Sequence, residues 1–379
     1  MKNIVREICF AAFKSLANIV LIVPSFIRVH MPFRKKIIKI AECESAQSSD
    51  YAVVAIHEPN GLSTFTRNLI AGLVENKINI VLVSNCPLST SDREQVTGQV
   101  FVLIERENLG RDFGAYQAGV RYLSSSGNLA SCRKLLLLND SAFYGKAIGR
   151  QIRDILSLDA PFVGLYETFQ YHYHVNSFFL CFSHRVALSD TFKMFWENYK
   201  PYSTRYHCIF AGEVRLSKLL MDQNITPFIV YSTTVIRTAI SRLRSEDTAT
   251  FITRLAACIP ESWLEETGSA RSSQVKMHLH HESLIPTSDV DSQLIAVYIQ
   301  NCERANQAHA LGLCSNRLLG APLIKKDLCY RGLWSIATLT QLVDGFTDDE
   351  RAEMLAALRR RSVPQAFSGF RRLRLVLDA

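Results

Sequence analysis

The sequence predicts an α/β protein: a Rossmann-type, mostly parallel sheet flanked by helices, with N-terminal and C-terminal helical extensions. Three observations carry this reading. Residues 51–57 are an apolar, β-branched run closed by Pro59-Asn60-Gly61, residues 64–76 place Phe65, Leu69, Ile70, Leu73 and Val74 at helical spacing, and residues 78–83 are a second buried strand. The same alternation recurs as strand 100–104, helix 113–123, strand 134–138 and helix 147–158. Across 379 residues, 48% are apolar and 21% charged, enough for a large core and incompatible with a disordered or fibrous chain.

Each element has a local reason. Strands that are apolar throughout belong inside a sheet covered on both faces, which is the habit of parallel strands joined by helices. After Pro161 the pattern changes to short aromatic-rich strands at 162–166 and 177–182, followed by helices at 188–199 and 212–222. Residues 41–50 are small and polar and read as a linker, which divides the chain into a basic amphipathic segment and linker (1–50), a main domain (51–335) and a basic helical tail (336–379). The stretch 233–310 is less legible; its cluster His278, His280, His281 and Glu282 fits no tetrahedral zinc spacing and is read as a surface or core feature.

Charge is concentrated at the ends. Over residues 1–40 eight basic residues face Glu7 alone, and over residues 359–379 six arginines face Asp378 alone, within a net charge of +8. Basic residues interleaved with apolar ones suit an anionic membrane surface; solvated termini with no partner explain them equally well. Residues 8–27 have the length of a membrane span, but Lys14, Ser15, Asn18, Pro24 and Ser25 interrupt them, so an interfacial helix is the expectation. No cleavage site of the Ala-x-Ala type follows. Ten cysteines lack the two-residue spacing of zinc or redox motifs and read as reduced, buried thiols of a cytoplasmic protein.

Ligands of such sheets collect at the carboxyl ends of the strands, where two loops stand out. In the first, Gly110 lies between a strand and a helix, so backbone amides and the helix dipole favour phosphate there. Arg111 adds a fixed charge with a fork of donors, and Asp112 is an acceptor for ribose hydroxyls. A helix N-cap explains Asp112 as well. In the second loop, Asn139-Asp140-Ser141, the carboxylate of Asp140 could hold a divalent cation or cap the next helix.

The segments Glu107-Asn108-Leu109-Gly110-Arg111-Asp112-Phe113-Gly114-Ala115-Tyr116, Leu138-Asn139-Asp140-Ser141, His174-Val175-Asn176-Ser177-Phe178-Phe179-Leu180, Gly212-Glu213-Val214-Arg215-Leu216-Ser217 and Pro322-Leu323-Ile324-Lys325-Lys326-Asp327 occur in series. Together they resemble the rhamnan synthesis F family of polysaccharide glycosyltransferases, over roughly residues 51–335. The resemblance implies a GT-A-like fold and transfer of rhamnose or a related sugar from a nucleotide-sugar donor, with dTDP-rhamnose a candidate, to a lipid-linked or oligosaccharide acceptor of a cell-surface polysaccharide or lipopolysaccharide. It implies a divalent cation (Mg2+ or Mn2+) on Asp140, a location on the cytoplasmic face of the inner membrane, and no nucleic acid. The chain departs from the family pattern at Ala142-Phe143-Tyr144 and at Val175-Asn176, which bears on the sugar chosen.

On this reading Glu213 is the expected catalytic base, assisted by His174. The donor site comprises His57, Asn108, Gly110, Arg111, Asp112, Asn139, Ser141 and Lys325. A first-turn glutamate, a core histidine and a solvated lysine pair are the plainer meanings of Glu213, His174 and Lys325-Lys326. The rival functions are a non-catalytic sugar-nucleotide-binding subunit and a phosphosugar transferase.

Overall fold

In the computed structural model, residues 22–31, 37–43, 48–169, 172–242, 306–327 and 343–360 are described. The histidine cluster at 278–282, the arginines beyond 360 and residues 1–21 lie outside them. Residues 22–30 form helix α1. There follow β1 (Ile37–Glu42), β2 (Asp50–Ile56), α2 (Thr64–Glu75), β3 (Asn79–Ser84), α3 (Thr90–Thr97), β4 (Val102–Arg106), α4 (Arg111–Ser125), β5 (Lys134–Asn139), β6 (Ala142–Tyr144) and α5 (Ile148–Ser157). Next come β7 (Phe162–Gly164), β8 (Glu167–Thr168), β9 (His174–Val175), β10 (Phe179–Ser183), α6 (His184–Ala187), α7 (Asp190–Asn198) and α8 (Arg205–His207). A π-helical turn, Cys208–Val214, joins α8 to α9 (Arg215–Met221). The remaining elements are β11 (Phe228–Ile229), α10 (Thr233–Ser241), α11 (Gln307–Ala310), α12 (Gly312–Leu319), β12 (Leu323–Lys325) and α13 (Asp348–Arg360).

The expected α/β fold is what forms. Eight strands pair in the order β1-β4-β3-β2-β5-β10-β7-β11. Pairings β4–β3, β3–β2, β2–β5 and β7–β11 are parallel, while β1 and β10 run against the rest. Strand alternation divides the core in two. Ala52, Val54 and Ile56 of β2 face α2 and α5, packing on Leu69, Leu73, Ile148 and Ile152. Tyr51, Val53 and Ala55 face the opposite layer, where Phe113 and Tyr116 of α4 meet Phe192, Phe195 and Trp196 of α7. Burial of each such side chain contributes roughly 1.5–3 kcal/mol, so the sheet is a rigid base for the loops at its edge.

Three features depart from the sequence reading. Residues 37–42 lie in the segment read as basic extension and linker, yet they are the edge strand, paired antiparallel with β4. The helix expected to begin at 212 begins at Arg205 and passes through a π turn. The tail helix α13 is seated on the main body: Met354 and Leu358 pack with Phe65, Phe143 and Ile324, and Glu350 accepts from Asn68. No disulfide joins the described cysteines. Among the described residues no helix is long and apolar enough to cross a membrane.

Candidate active site

The two loops predicted from sequence meet at the carboxyl ends of β4 and β5 and are joined by a chain of hydrogen bonds. Asn139 is its hub: Nδ2 donates to Asp112 Oδ2 at 2.8 Å, and Oδ1 accepts from the Ser141 amide at 3.0 Å and from the Ser141 hydroxyl. Ser141 Oγ accepts in turn from Lys325 Nζ at 2.6 Å. Strand β12 makes this possible by pairing with β6, which sets Lys325 opposite Ala142, one residue past Ser141. The ammonium group also lies 4.3 Å from the centre of the Phe178 ring. Burial pushes the Lys325 pKa down, and the charges of Asp327, Asp112 and Glu213 pull against that without reversing it.

These contacts separate alternatives that the sequence left open. Helix α4 is capped at Gly110 with no side-chain cap, and Asp112 lies in its first turn, bonded to Asn139. Asp140 is followed by strand β6, and the next helix, α5, begins after Ala147 with no side-chain cap, so Asp140 caps nothing. Lys325 and Lys326 are successive residues at a strand end with different partners: Lys325 Nζ donates to Ser141, whereas Lys326 Nζ lies 3.4 Å from Glu58 Oε1.

The first loop is held from outside. Gly110 has φ +74°, and a Cβ there would lie 2.4 Å from the Cβ of Pro201. Arg111 follows with φ +52°, a conformation that costs a non-glycine residue about 1–3 kcal/mol. Buried Arg106 braces the loop, donating to Leu109 O at 2.7 Å and Asn85 Oδ1 at 2.6 Å; burial lowers its pKa to about 10. The Gly110 amide, expected to await a phosphate, donates instead to Ser203 Oγ at 3.0 Å. Asn108 is exposed at the tip. Asp112 is raised to about 6, first by burial and then by the negative charge of Asp140.

Glu213 stands next to the end of the π turn rather than at a helix start, so a favourable helix dipole does not account for it. Its Oε1 accepts from the Ser177 amide at 3.0 Å and from the Ser177 hydroxyl, and its Oε2 lies 3.5 Å from His174 Nε2. His174 Nδ1 faces the carbonyl of His172 at 2.8 Å. Burial pushes the two side chains toward neutrality. Their mutual pairing outweighs it, so His174 is raised and Glu213 lowered. Each member of the pair thus favours the charged form of the other.

Asp140 Oδ2 accepts from the His57 amide at 3.0 Å. The His57 side chain is exposed, and its pKa is raised mainly by a hydrogen bond with the Cys86 thiol. Among the described residues no group of three or more His, Cys, Asp or Glu could hold a metal. The donor set that does exist is two neighbouring carboxylates, Asp140 and Asp112. Mg2+ is commonly held by one or two carboxylates plus substrate phosphates and water, so these residues fit a cation that arrives with a diphosphate.

Sequence reasoning missed Arg205, Asp327 and His309. Asp327 Oδ1 is 2.8 Å from His309 Nε2, and Oδ2 is 4.0 Å from Arg205, in the same charged neighbourhood as Lys325. His309 pulls the Asp327 carboxyl well below its usual range against the opposing effect of burial. Asp327 ends the segment Pro322-Leu323-Ile324-Lys325-Lys326-Asp327, but nothing in the sequence pairs it with residue 309.

Residues 80–253 match the family described as rhamnan synthesis protein F. That span includes the Gly110 and Asp140 loops, His174 and Glu213. Lys325 lies beyond it. The expected resemblance to rhamnan synthesis protein F therefore holds over this part of the chain. A Sinorhizobium fredii protein described as uncharacterized protein y4gN is 26% identical over 184 residues, which are 47% of this chain. The match takes in about half (48%) of that relative's length. A mannosyltransferase of Pyrobaculum calidifontis, solved with GDP-Man and Mn2+, overlays 94% of this chain and 96% of its own at 12% identity and a TM-score of 0.29. So loose an overlay bears on neither fold nor function.

Proposed function

We propose that the protein is a glycosyltransferase that moves a sugar, rhamnose or a related one, from a nucleotide-sugar donor to a growing cell-surface glycan. The observation that carries this is the chain Asp112–Asn139–Ser141–Lys325, which sets a half-buried lysine among carboxylates at the edge of a mostly parallel sheet. The match to rhamnan synthesis protein F over residues 80–253 supports the same reading.

On this reading Lys325, with Arg205 behind it, takes the charge of the donor diphosphate, and Arg111 and Asp112 face its nucleoside end. Asp140, backed by Asp112, would hold a divalent cation, whose chemistry is to neutralise the departing diphosphate. Glu213 receives the proton of an acceptor hydroxyl. As that oxygen bonds to the anomeric carbon, the bond from that carbon to the diphosphate oxygen breaks and the nucleoside diphosphate leaves with the electron pair. His174 and Ser177 hold Glu213 ionised and aimed, and a positioned base of this kind contributes about 10²–10⁴-fold.

The acceptor is proposed to be lipid-linked and the protein to sit on the cytoplasmic face of a membrane. Support comes from α1, where Val23, Phe26, Ile27 and Met31 are exposed beside Arg28, and from the basic first forty residues. Cosedimentation with phosphatidylglycerol vesicles that weakens as salt is raised is the expected behaviour; equal recovery with phosphatidylcholine vesicles would contradict it.

The deciding experiment is incubation with a panel of nucleotide sugars, dTDP-rhamnose included, with Mn2+ or chelator, followed by assay of released nucleotide. Release that requires the cation is expected. Donor binding without release would identify a non-catalytic subunit, and a phosphodiester in the product a phosphosugar transferase.

A further inference from the structure

The helical stretch that carries Glu213 also carries two aromatic rings that no part of the donor site uses. Tyr206 and Phe210 lie one turn apart, with ring centres 4.2 Å from each other and planes 31° from parallel. Tyr206 is 47% exposed. Phe113, Phe192 and Trp196 of the nearby core are almost completely buried, whereas Tyr206 is exposed and Phe210 half-buried. Phe210 meets the ring of His172 edge-on at 6.2 Å, which closes one side of the surface.

The placement has an order. Arg205, which precedes Tyr206, lies within 4.0 Å of Asp327 in the charged neighbourhood of Lys325. Glu213 is three residues past Phe210. His172 and His174 belong to one segment and meet Phe210 and Glu213 respectively. The ring pair is thus tied to the carboxylate through the His172–His174 segment, which touches Phe210 at one residue and Glu213 two residues on. The π turn Cys208–Val214 contains both Phe210 and Glu213, and such turns are found frequently at functional sites.

We propose that Tyr206 and Phe210 form a stacking shelf for a sugar ring of the acceptor, holding it with a hydroxyl directed at Glu213; the proposal rests on the reading of Glu213 as the acceptor base. A pyranose has one face of C–H bonds, which packs on an aromatic face, while its hydroxyls stay in water or reach polar groups. Such sites combine aromatic walls with a few placed polar groups. A lipid tail would be served by an apolar surface without a carboxylate and two histidines at its edge, and this favours the sugar as occupant.

Saturation-transfer NMR on the full chain, with methyl α-L-rhamnopyranoside and methyl α-D-mannopyranoside as probes, tests it. Saturation of the ring C–H protons is expected with the native protein. It should weaken about tenfold in Tyr206→Ala, the equivalent of about 1.4 kcal/mol, and persist in Tyr206→Trp. In transfer assays Tyr206→Ala should raise the acceptor KM more than the donor KM. Undiminished saturation in both Tyr206→Ala and Phe210→Ala overturns the shelf, as does contact with undecaprenyl phosphate but with neither glycoside. Nucleotide release by the native protein, measured separately, reports on the Glu213 reading. Glycoside stacking without release removes catalysis and keeps the shelf; release without stacking does the reverse.

Discussion

Lys325 Nζ and Ser141 Oγ are 2.6 Å apart although 184 residues of chain separate them. The contact ties the final short strand to the loop after β5, so the cation of the site is delivered by tertiary structure alone. Replacing Lys325 by Gln is expected to lower donor turnover by about 10²-fold or more, the usual effect of removing one placed electrostatic group. Lys326→Gln, which breaks the pair with Glu58 instead, should lower the melting temperature and leave turnover within a few-fold. Steady-state kinetics and calorimetry of the two variants check this; equal kinetic losses would contradict it.

Asp112 supplies a prediction about pH. A carboxyl raised to about 6 holds its proton more tightly folded than unfolded, so its contribution to stability falls as pH rises from about 4 through 6. Asp112→Asn should therefore stabilise the ligand-free protein at pH 7.5, on the order of 1 kcal/mol, while weakening donor binding. Thermal melts at pH 4.5 and 7.5 would show the difference growing with pH. Mn2+ affinity of the native protein should rise across the same range, because the ligand must lose its proton.

The His174–Glu213 pair titrates in the opposite sense at its two ends. Glu213, lowered, adds stability that is lost as pH falls through its folded value; His174, raised above 6.5, adds stability that is lost as pH rises through its own. His174→Gln should flatten the alkaline limb of the stability profile. Glu213→Gln should abolish transfer with donor affinity retained, as measured by nucleotide-sugar calorimetry.

Gly110→Ala is expected to destabilise by about 1–3 kcal/mol, since φ +74° and the Pro201 contact both oppose a side chain. Donor affinity should fall with it, and a melting curve with a donor titration would record both.

Much of the sheet was legible because β2, β3 and β5 are apolar along their middles, and their order with the intervening helices fixed the layers. The loop at 140 was legible for the same reason, since it follows β5, and the loop at 110 because it follows the apolar start of β4. Strand β1 was not. Edge strands carry charge, and Lys39 within an exposed run reads like part of a basic extension. Helix α3 buries only Asp92 and Val96 and so leaves little periodicity to read. The π turn before Glu213 has no signature in residue spacing. The bond from the Gly110 amide to Ser203 joins segments that only the folded chain brings together.

The family match ends at residue 253, while Lys325, whose ammonium is drawn on by Asp112 and Glu213, lies beyond it. On a ribosome, the carboxylates and the sheet beneath them emerge first and the lysine last. A nascent or prematurely ended chain thus carries these carboxylates with Arg111 and His174 beside them but without the lysine that donates to Ser141. Completion of synthesis, rather than formation of the sheet, is the event that joins Lys325 to the cleft.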